Sequence, residues 1–284
     1  ADFACQYASA DAGERANLLF ESLWGASGFL SAVPSKTLGL AMAPNEFIEE
    51  LKARLWIPTF PADHFCPTCD MISDSHGLHA QRCTAGGDIT ACHHATRNQI
   101  YCFTATAGWN PTLEQSHLLP PRPDDPSGSN LRRPADVSLP SWAHGSPAAF
   151  DLAITSPQRQ EVLAQASRER GSAAAQYEDW ERSYLNTAEE CRQQGILFVP
   201  LVAETSGGWG SNSLAVLQQM AKRMSGRAGV STDGRAVLPQ LLERLCITIR
   251  AAKARAVLRR AGGFAPGADA AAVDSAAAVL AADA

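Results

Sequence analysis

Four residues between positions 66 and 83 have the types and the spacing of a metal site. Cys66 and Cys69 are separated by two residues, and His79 and Cys83 follow with three residues between them. A C-x2-C turn presents two sulfur ligands from one tight loop, and residues four apart in sequence share one face of a helix. Four thiolate and imidazole ligands suit Zn²⁺ in a tetrahedral site that leaves no position open for water. The pattern therefore predicts a closed, structural zinc site.

Neighbouring residues leave two alternatives open for this metal site. His76 could replace His79 as a ligand, although its spacing to Cys83 is less usual. A second site could draw on three consecutive residues, Cys92, His93 and His94. Because three of the eight cysteines bunch within 18 positions of a long chain, metal binding in a reducing compartment is favoured over a disulfide framework.

A pair of acidic residues on two predicted strands is the second chemical signal. Asp136 lies in the segment 132–139 and Asp151 in the segment 148–155, with fourteen residues between the two. In both segments, strand alternation directs apolar side chains to one face and the carboxylate to the other. On neighbouring strands the two carboxylates would converge, and a shared divalent cation such as Mg²⁺ would relieve their repulsion. The alternative is that each aspartate caps a strand or pairs with an arginine at the surface.

Composition and charge narrow the class of protein. Charged residues make up 19% of the 284-residue chain and the net charge is −5, which excludes a polybasic tail or a highly acidic disordered chain. No apolar run approaches the roughly 18 residues that span a bilayer, so we expect no integral membrane protein. No secretory signal is visible, so we expect a location in the nucleus or the cytoplasm. Since the chain starts at Ala1, we expect a fragment of a longer polypeptide.

Charge is distributed unevenly along the chain. The segment 219–260 holds ten basic residues and two acidic ones on helical patterns. A basic helical segment on an otherwise acidic protein is compatible with phosphate binding. The alternative is a solvated helix face with no ligand.

Periodicity predicts an α/β (α+β) fold, with a small mixed sheet flanked by helices and preceded by the zinc module. Helical patterns cover 10–24, 44–57, 88–107 and 236–260. The most strand-like segment is 196–204, where Pro200 favours an edge position or a bulge. We divide the chain into a helical segment 1–60, a zinc knuckle 61–87, a domain 88–215, basic helices 216–261 and a disordered Ala-rich tail 262–284.

Together, these motifs resemble the C-terminal region of non-LTR retrotransposon polyproteins that carry a restriction-like endonuclease. In that family a CCHC zinc knuckle precedes a histidine–arginine helix, an Arg-Pro-Asp element and a second acidic residue. The matching positions here are Asp74, Gly77, His79, Ala80, Cys83, Gly86, Gly87, His93, Arg97, Asp136 and Asp151. The match continues through 155–157, 199–204, 207–210 and the final helix 241–260.

The resemblance implies a PD-(D/E)xK nuclease core and Mg²⁺-dependent nicking of DNA, which exposes a 3′ hydroxyl that primes reverse transcription. Asp136 and Asp151 would then hold the catalytic Mg²⁺, which orients the scissile phosphate and stabilises the charge of the transition state. Glu114 is a candidate for a further carboxylate. Glu204 is either a residue that supports the metal ligands or a structural cap.

This sequence departs from the family's motif at the basic residue of the site. Ala153 stands two residues after Asp151, where a lysine would complete the motif, and the segment 176–184 contains Arg182 but no lysine. We therefore expect Arg182 to supply positive charge to a phosphate. Since a guanidinium stays protonated, it cannot act as a base. The alternative function is a catalytically degenerate zinc-knuckle module that binds nucleic acid, and a third possibility is an unrelated zinc-stabilised scaffold.

The resemblance also implies partners. These are DNA, element RNA and the reverse-transcriptase region of the same polyprotein, since this chain has no Tyr/Phe-x-Asp-Asp polymerase signature. The residues that we expect to contact phosphates are Arg97, Arg133, Lys222, Arg223, Arg250 and Lys253.

Overall fold

The computed structural model describes residues 3–121, 132–229 and 233–262. In these ranges the protein is a mixed α/β fold with ten α-helices and six short β-strands. The helices are α1 (Phe3–Ser9), α2 (Ala12–Phe20), α3 (Gly28–Ser31), α4 (Pro44–Arg54), α5 (Asp88–Thr106), α6 (Gln160–Ala166), α7 (Ser172–Ser183), α8 (Thr187–Gln193), α9 (Ser211–Arg227) and α10 (Leu238–Arg260). The strands are β1 (His64–Phe65), β2 (Ile72–Ser73), β3 (Thr112–Leu113), β4 (Val137–Leu139), β5 (Ala148–Thr155) and β6 (Leu197–Glu204). The predicted Ala-rich tail lies outside the described residues from position 263 onward.

The main sheet has four strands in the order β3–β4–β5–β6. β3 and β4 are antiparallel, as are β4 and β5, whereas β5 and β6 run parallel. A parallel pair requires a crossover connection, and α6, α7 and α8 supply it. β6 is an edge strand, as Pro200 predicted. The sheet is therefore small and mixed, as the sequence indicated.

Helices cover both faces of the sheet. Val137, Leu139, Phe150 and Leu152 pack on one face, against apolar residues of α5, α9 and α10. On the other face, α7 packs over Ala153 and Val202 of β5 and β6. The first cluster joins residues from 88–215 with residues from 216–261, so these two predicted ranges share one core.

Buried ion pairs attach α10 to the N-terminal helices. Arg250 is fully buried, donates to Glu50 Oε2 at 2.7 Å and also pairs with Glu21. Lys253 Nζ lies 3.0 Å from the same Glu50 Oε2. The prediction that Arg250 contacts nucleic acid is therefore wrong, because its guanidinium has no access to solvent and neutralises carboxylates inside the fold.

The basic segment does not form one continuous basic surface. Arg255 pairs with Glu46 at 3.1 Å, and Arg259 and Arg260 both pair with Asp88. Several of the basic side chains of α10 thus stabilise the packing of the fold. The sequence shows the excess of arginine and lysine, but it does not show that their partners lie on α4 and α5.

Candidate metal centre and acidic cluster

The four predicted zinc ligands come together in the structure. The ligand atoms of Cys66, Cys69, His79 and Cys83 all lie within 4.8 Å of one another. Cys69 Sγ lies 3.2 Å from His79 Nε2 and 3.5 Å from Cys83 Sγ. The Cys₃His donor set and this spacing fit a metal ion such as Zn²⁺. Three thiolates, one neutral imidazole and Zn²⁺ would carry a net charge of about −1.

Local backbone contacts position these ligands. Cys66 and Cys69 lie in the turn between β1 and β2, where the Cys66 amide donates to Met71 O at 2.8 Å. The Asp74 carboxylate accepts hydrogen bonds from the amides of His76, Leu78 and His79 at 2.8–3.1 Å, which fixes the turn that carries the histidine ligand. This turn is built from residues close in sequence, which is why spacing alone predicts it.

The buried guanidinium of Arg260 lies against the sulfur ligands. Its positive charge lies close to the sulfurs of Cys66 and Cys83, and Nη1 donates to Asp88 Oδ2 at 2.7 Å. Burial raises the pKa of the Cys66 thiol, but hydrogen bonds from the Thr68 backbone and from Arg260 lower it to about 5. A thiolate ready to bind metal and a cation that offsets the charge of the site are thus built into the fold.

The structure does not support the two alternatives for the metal ligands. The His76 ring stacks on Trp56, with centroids 4.2 Å apart, and does not join the cluster. Cys92 is held as a neutral thiol, since burial raises its pKa to about 12. Within the described ranges, Cys66, Cys69, His79 and Cys83 are the one group of three or more His, Cys, Asp or Glu side chains with ligand atoms this close together.

The two predicted acidic residues face each other across β4 and β5. Val137 pairs with Phe150, so the register places Asp136 opposite Asp151, and their side chains are hydrogen-bonded. The Asp136 amide donates to Phe150 O, and Asp136 Oδ2 accepts from the Leu152 amide at 2.8 Å. His93 Nε2 lies 3.1 Å from Asp136 Oδ2. The backbone of Asp136 is thus fixed by Phe150, and its carboxylate is fixed by the Leu152 amide and by His93.

A third carboxylate, Glu181 of α7, completes this group, and our sequence reasoning missed it. Its side chain is hydrogen-bonded to Asp151. The sequence favours Arg182 instead, but in the structure Arg182 contacts Glu178 at 3.7 Å and Asp179 at 3.4 Å on its own helix. Positions 174, 177 and 181 share the helix face that packs on the sheet, whereas 182 lies beside it. Helical periodicity was therefore the signal for Glu181.

We define the acidic cluster as Asp136, Asp151 and Glu181, with His93 at its edge. Burial, followed by the charges of Glu181 and Asp136, raises the pKa of Asp151 to about 9. Burial likewise raises the pKa of Glu181. Burial lowers the pKa of His93, but the hydrogen bond and the charge of Asp136 outweigh it and raise the pKa. Near neutral pH, a proton bound to Asp151 therefore reduces the repulsion among the three carboxylates. A divalent cation bound among them would also reduce it.

The other two predicted carboxylates lie outside the acidic cluster. Glu204 is fully buried and accepts a hydrogen bond from the Ala174 amide at 3.3 Å. It pairs with Thr155, four residues along β5 from Asp151, or about 13 Å at the rise of a strand. Burial raises the pKa of Glu204 to about 7. Glu114 instead forms ion pairs with two of the predicted phosphate contacts, Arg97 and Arg133.

The remaining predicted phosphate contacts differ in exposure. Lys222 and Arg223 are exposed on α9, where the Arg223 guanidinium lies over the Trp109 ring. The side chain of Arg133 is about half exposed, whereas Arg97 is buried. Lys253 is buried too, and its ammonium lies against Glu50. Of the six predicted contacts, Arg133, Lys222 and Arg223 thus reach solvent.

A cavity of about 300 Å³ lies between the segment that follows His79 and the acidic cluster. Its walls come from the residues after His79, from α5, from β5, from α7 and from α10. His93, Tyr177, Glu181 and Lys253 supply polar groups to an otherwise largely apolar lining. Its volume is at the lower end of the range typical of small-molecule sites.

Comparison of the chain with protein-family models, with curated proteins and with solved structures finds no significant match. Within the part of the chain that the structure describes, no helix is both long enough and apolar enough to cross a membrane.

Proposed function

We propose that this chain is a Mg²⁺-dependent DNA endonuclease of the restriction-like PD-(D/E)xK type, with a structural zinc knuckle, from a retrotransposon polyprotein. The observation that carries the proposal is the convergence of Asp136 and Asp151 from adjacent strands with Glu181 from a flanking helix. Isolated surface aspartates would lie in water with ordinary pKa values. A partly buried group of carboxylates, one with a pKa raised to about 9, beside a cavity is typical of a functional site.

The donor atoms of the acidic cluster suit Mg²⁺, which prefers carboxylate oxygens. Asp136, Asp151 and Glu181 would hold the ion, which would orient the scissile phosphate, help to ionise water and stabilise the pentavalent transition state. Asp136 is fixed by the Leu152 amide and by His93, so it enters the reaction already oriented. Asp151 must lose its proton before it can serve as a ligand, which makes cation binding stronger at higher pH.

In this proposal the nick supplies a 3′ hydroxyl to a polymerase elsewhere in the same polyprotein. DNA is the substrate and element RNA is a further partner. The exposed Lys222 and Arg223 of α9, with Arg133, are the remaining candidates for contacts with phosphates. Such contacts would make binding fall steeply as salt rises.

A second candidate function is a zinc-knuckle module that binds nucleic acid on a nuclease fold without cutting it. The observation that favours it is the basic group at the acidic cluster, which is His93 rather than a lysine. Position 153 is alanine, and Arg182 pairs with acidic residues of its own helix. The three carboxylates are also less closely grouped than the zinc ligands, so they must close around a cation.

Nicking of supercoiled plasmid in the presence of Mg²⁺ separates the two candidates. We expect nicking by the wild-type protein and its loss in Asp151→Asn and in Glu181→Gln, because each variant keeps the size of the side chain but removes a ligand charge. The matched control is Asp179→Asn, since Asp179 lies on the same helix and is exposed. Wild-type protein that shifts DNA in a gel but leaves the plasmid supercoiled would refute the endonuclease and support the binding module.

A further inference from the structure

Three aromatic side chains form a row along α7 and its C-terminal end, beside the acidic cluster. Tyr177, Trp180 and Tyr184 follow one another at helical spacing, with ring centroids 5.2 Å and 4.6 Å apart. Trp180 is 46% exposed and Tyr184 is 49% exposed. The ring planes are tilted by 55° and 31°, so the rings contact one another without stacking face to face. Contiguous exposed aromatic surface of this kind marks an interaction site.

The inner end of this aromatic row reaches the cavity. Tyr177 lines the cavity together with Glu181 and His93, and it packs against the sheet beside Ala153. The Arg159 guanidinium lies 5.6 Å from the centroid of the Tyr177 ring. In the structure, the buried Nε of Arg159 has no hydrogen-bond partner. The row thus extends from the exposed rings of Trp180 and Tyr184 to Tyr177, which lies beside the Arg159 guanidinium and lines the same cavity as Glu181.

We propose that the aromatic row is a base-stacking surface for a single strand of DNA. This inference rests on the proposed function, since it assigns the row to guiding an unpaired strand into the same site. Aromatic side chains stack on nucleobases of any sequence, but only unpaired bases offer a free ring face. A strand stacked on Tyr184 and Trp180 would bring its next nucleotide past Tyr177 to the cavity and to Glu181.

The charge of α7 indicates that bases rather than phosphates contact the row. Asp179 lies next to Trp180 and its side chain is exposed, and Glu181 faces the acidic cluster at the inner end of the row. Phosphates would be repelled by these carboxylates, so they must point outward while the bases stack on the rings. A contact of this kind releases few counterions, and its loss should leave the salt dependence of binding nearly unchanged.

Fluorescence anisotropy of a labelled oligo(dT) strand, without added Mg²⁺, tests the inference. We expect Trp180→Ala and Tyr184→Ala each to weaken binding roughly tenfold. The slope of log affinity against log salt should stay within about one unit of that of the wild type. Trp180→Phe should restore most of the affinity. The matched control is Trp24→Ala, because Trp24 is 65% exposed outside the row.

Three results would overturn the inference. These are unchanged affinity in the double variant of Trp180 and Tyr184, an equal loss in Trp24→Ala, and an equal loss for a blunt duplex of the same length. Far-ultraviolet circular dichroism and the melting temperature verify that each variant is folded. The plasmid assay reports separately on the proposed function. If the wild type nicks the plasmid but the variants of Trp180 and Tyr184 bind oligo(dT) normally, only the stacking surface is refuted. If these variants lose binding but the wild type does not nick, only the endonuclease is refuted.

Discussion

Asp151→Asn is predicted to change how the stability of the protein depends on pH. Asp151 has a folded-state pKa of about 9, whereas an aspartate in an unfolded chain has a pKa of about 3.9. Between these values the folded protein holds a proton that the unfolded chain has released. The free energy of unfolding therefore falls as pH rises through this window, and asparagine, which does not titrate, removes the effect.

The magnitude follows from the linkage between proton binding and folding. One group in this window changes the free energy of unfolding by at most about 1.4 kcal/mol per pH unit. Between pH 5 and pH 8, wild-type stability should therefore fall by as much as about 4 kcal/mol relative to Asp151→Asn. The variant amide can donate to the neighbouring carboxylates as the protonated acid does, so the fold should be retained.

Urea denaturation at several values between pH 5 and pH 8 measures the difference directly. Addition of Ca²⁺ or Mg²⁺ should stabilise the wild type more at pH 8 than at pH 5, because the cation competes with the proton. The same cations should have little effect on Asp151→Asn. Asp179→Asn, with an exposed carboxylate on α7, is the matched control and should follow the wild type.

If the free energies of unfolding of the wild type and of Asp151→Asn differ by the same amount at every pH from 5 to 8, this reasoning is refuted. It would mean that Asp151 is ionised throughout and that its environment is more polar than the contacts with Asp136 and Glu181 indicate. Equal stabilisation of both proteins by the cation would show that the ion binds elsewhere.

Three further predictions concern the zinc ligands, the core and the end of the sheet. Cys69→Ser should lose bound zinc, measured by elemental analysis after dialysis, and should have a lower melting temperature. The control Cys5→Ser should keep both its zinc and its melting temperature. Full zinc content in Cys69→Ser would contradict the assignment of the ligand. Arg250→Ala should lower the free energy of unfolding in urea by about 3 kcal/mol, since two buried carboxylates lose the cation that they share and keep one partner each, Arg54 for Glu21 and Lys253 for Glu50. An effect no larger than that of the exposed Arg235→Ala would contradict this. Burial raises the pKa of Glu204 in the folded protein to about 7. Between pH 4 and pH 7 the free energy of unfolding of the wild type should therefore fall by at most about 4 kcal/mol relative to Glu204→Gln. If urea denaturation gives the same pH dependence for both proteins, this prediction is wrong.

Sequence periodicity predicted most of the secondary structure. The predicted helix 88–107 is α5 (Asp88–Thr106), and the predicted helix 236–260 is α10 (Leu238–Arg260). The strand 148–155 was predicted at its observed bounds, Ala148–Thr155. The predicted strand 132–139 was too long, because regular pairing in β4 begins only at Val137. Apolar residues recur every 3.6 residues in a helix and every 2 residues in a strand. These patterns depend only on the local sequence, so they can be recognised without knowledge of the fold.

Of the two candidate sites, the sequence by itself determined the Cys₃His cluster, because the turn after β1 and the Asp74 turn bring its four side chains together within a short segment. Tertiary structure alone decided that Glu181 joins Asp151 and that Arg250 is buried among carboxylates. Both outcomes depend on helices packing against elements far away in sequence. A spacing motif records only neighbours along the chain, whereas burial and charge pairing depend on neighbours in space.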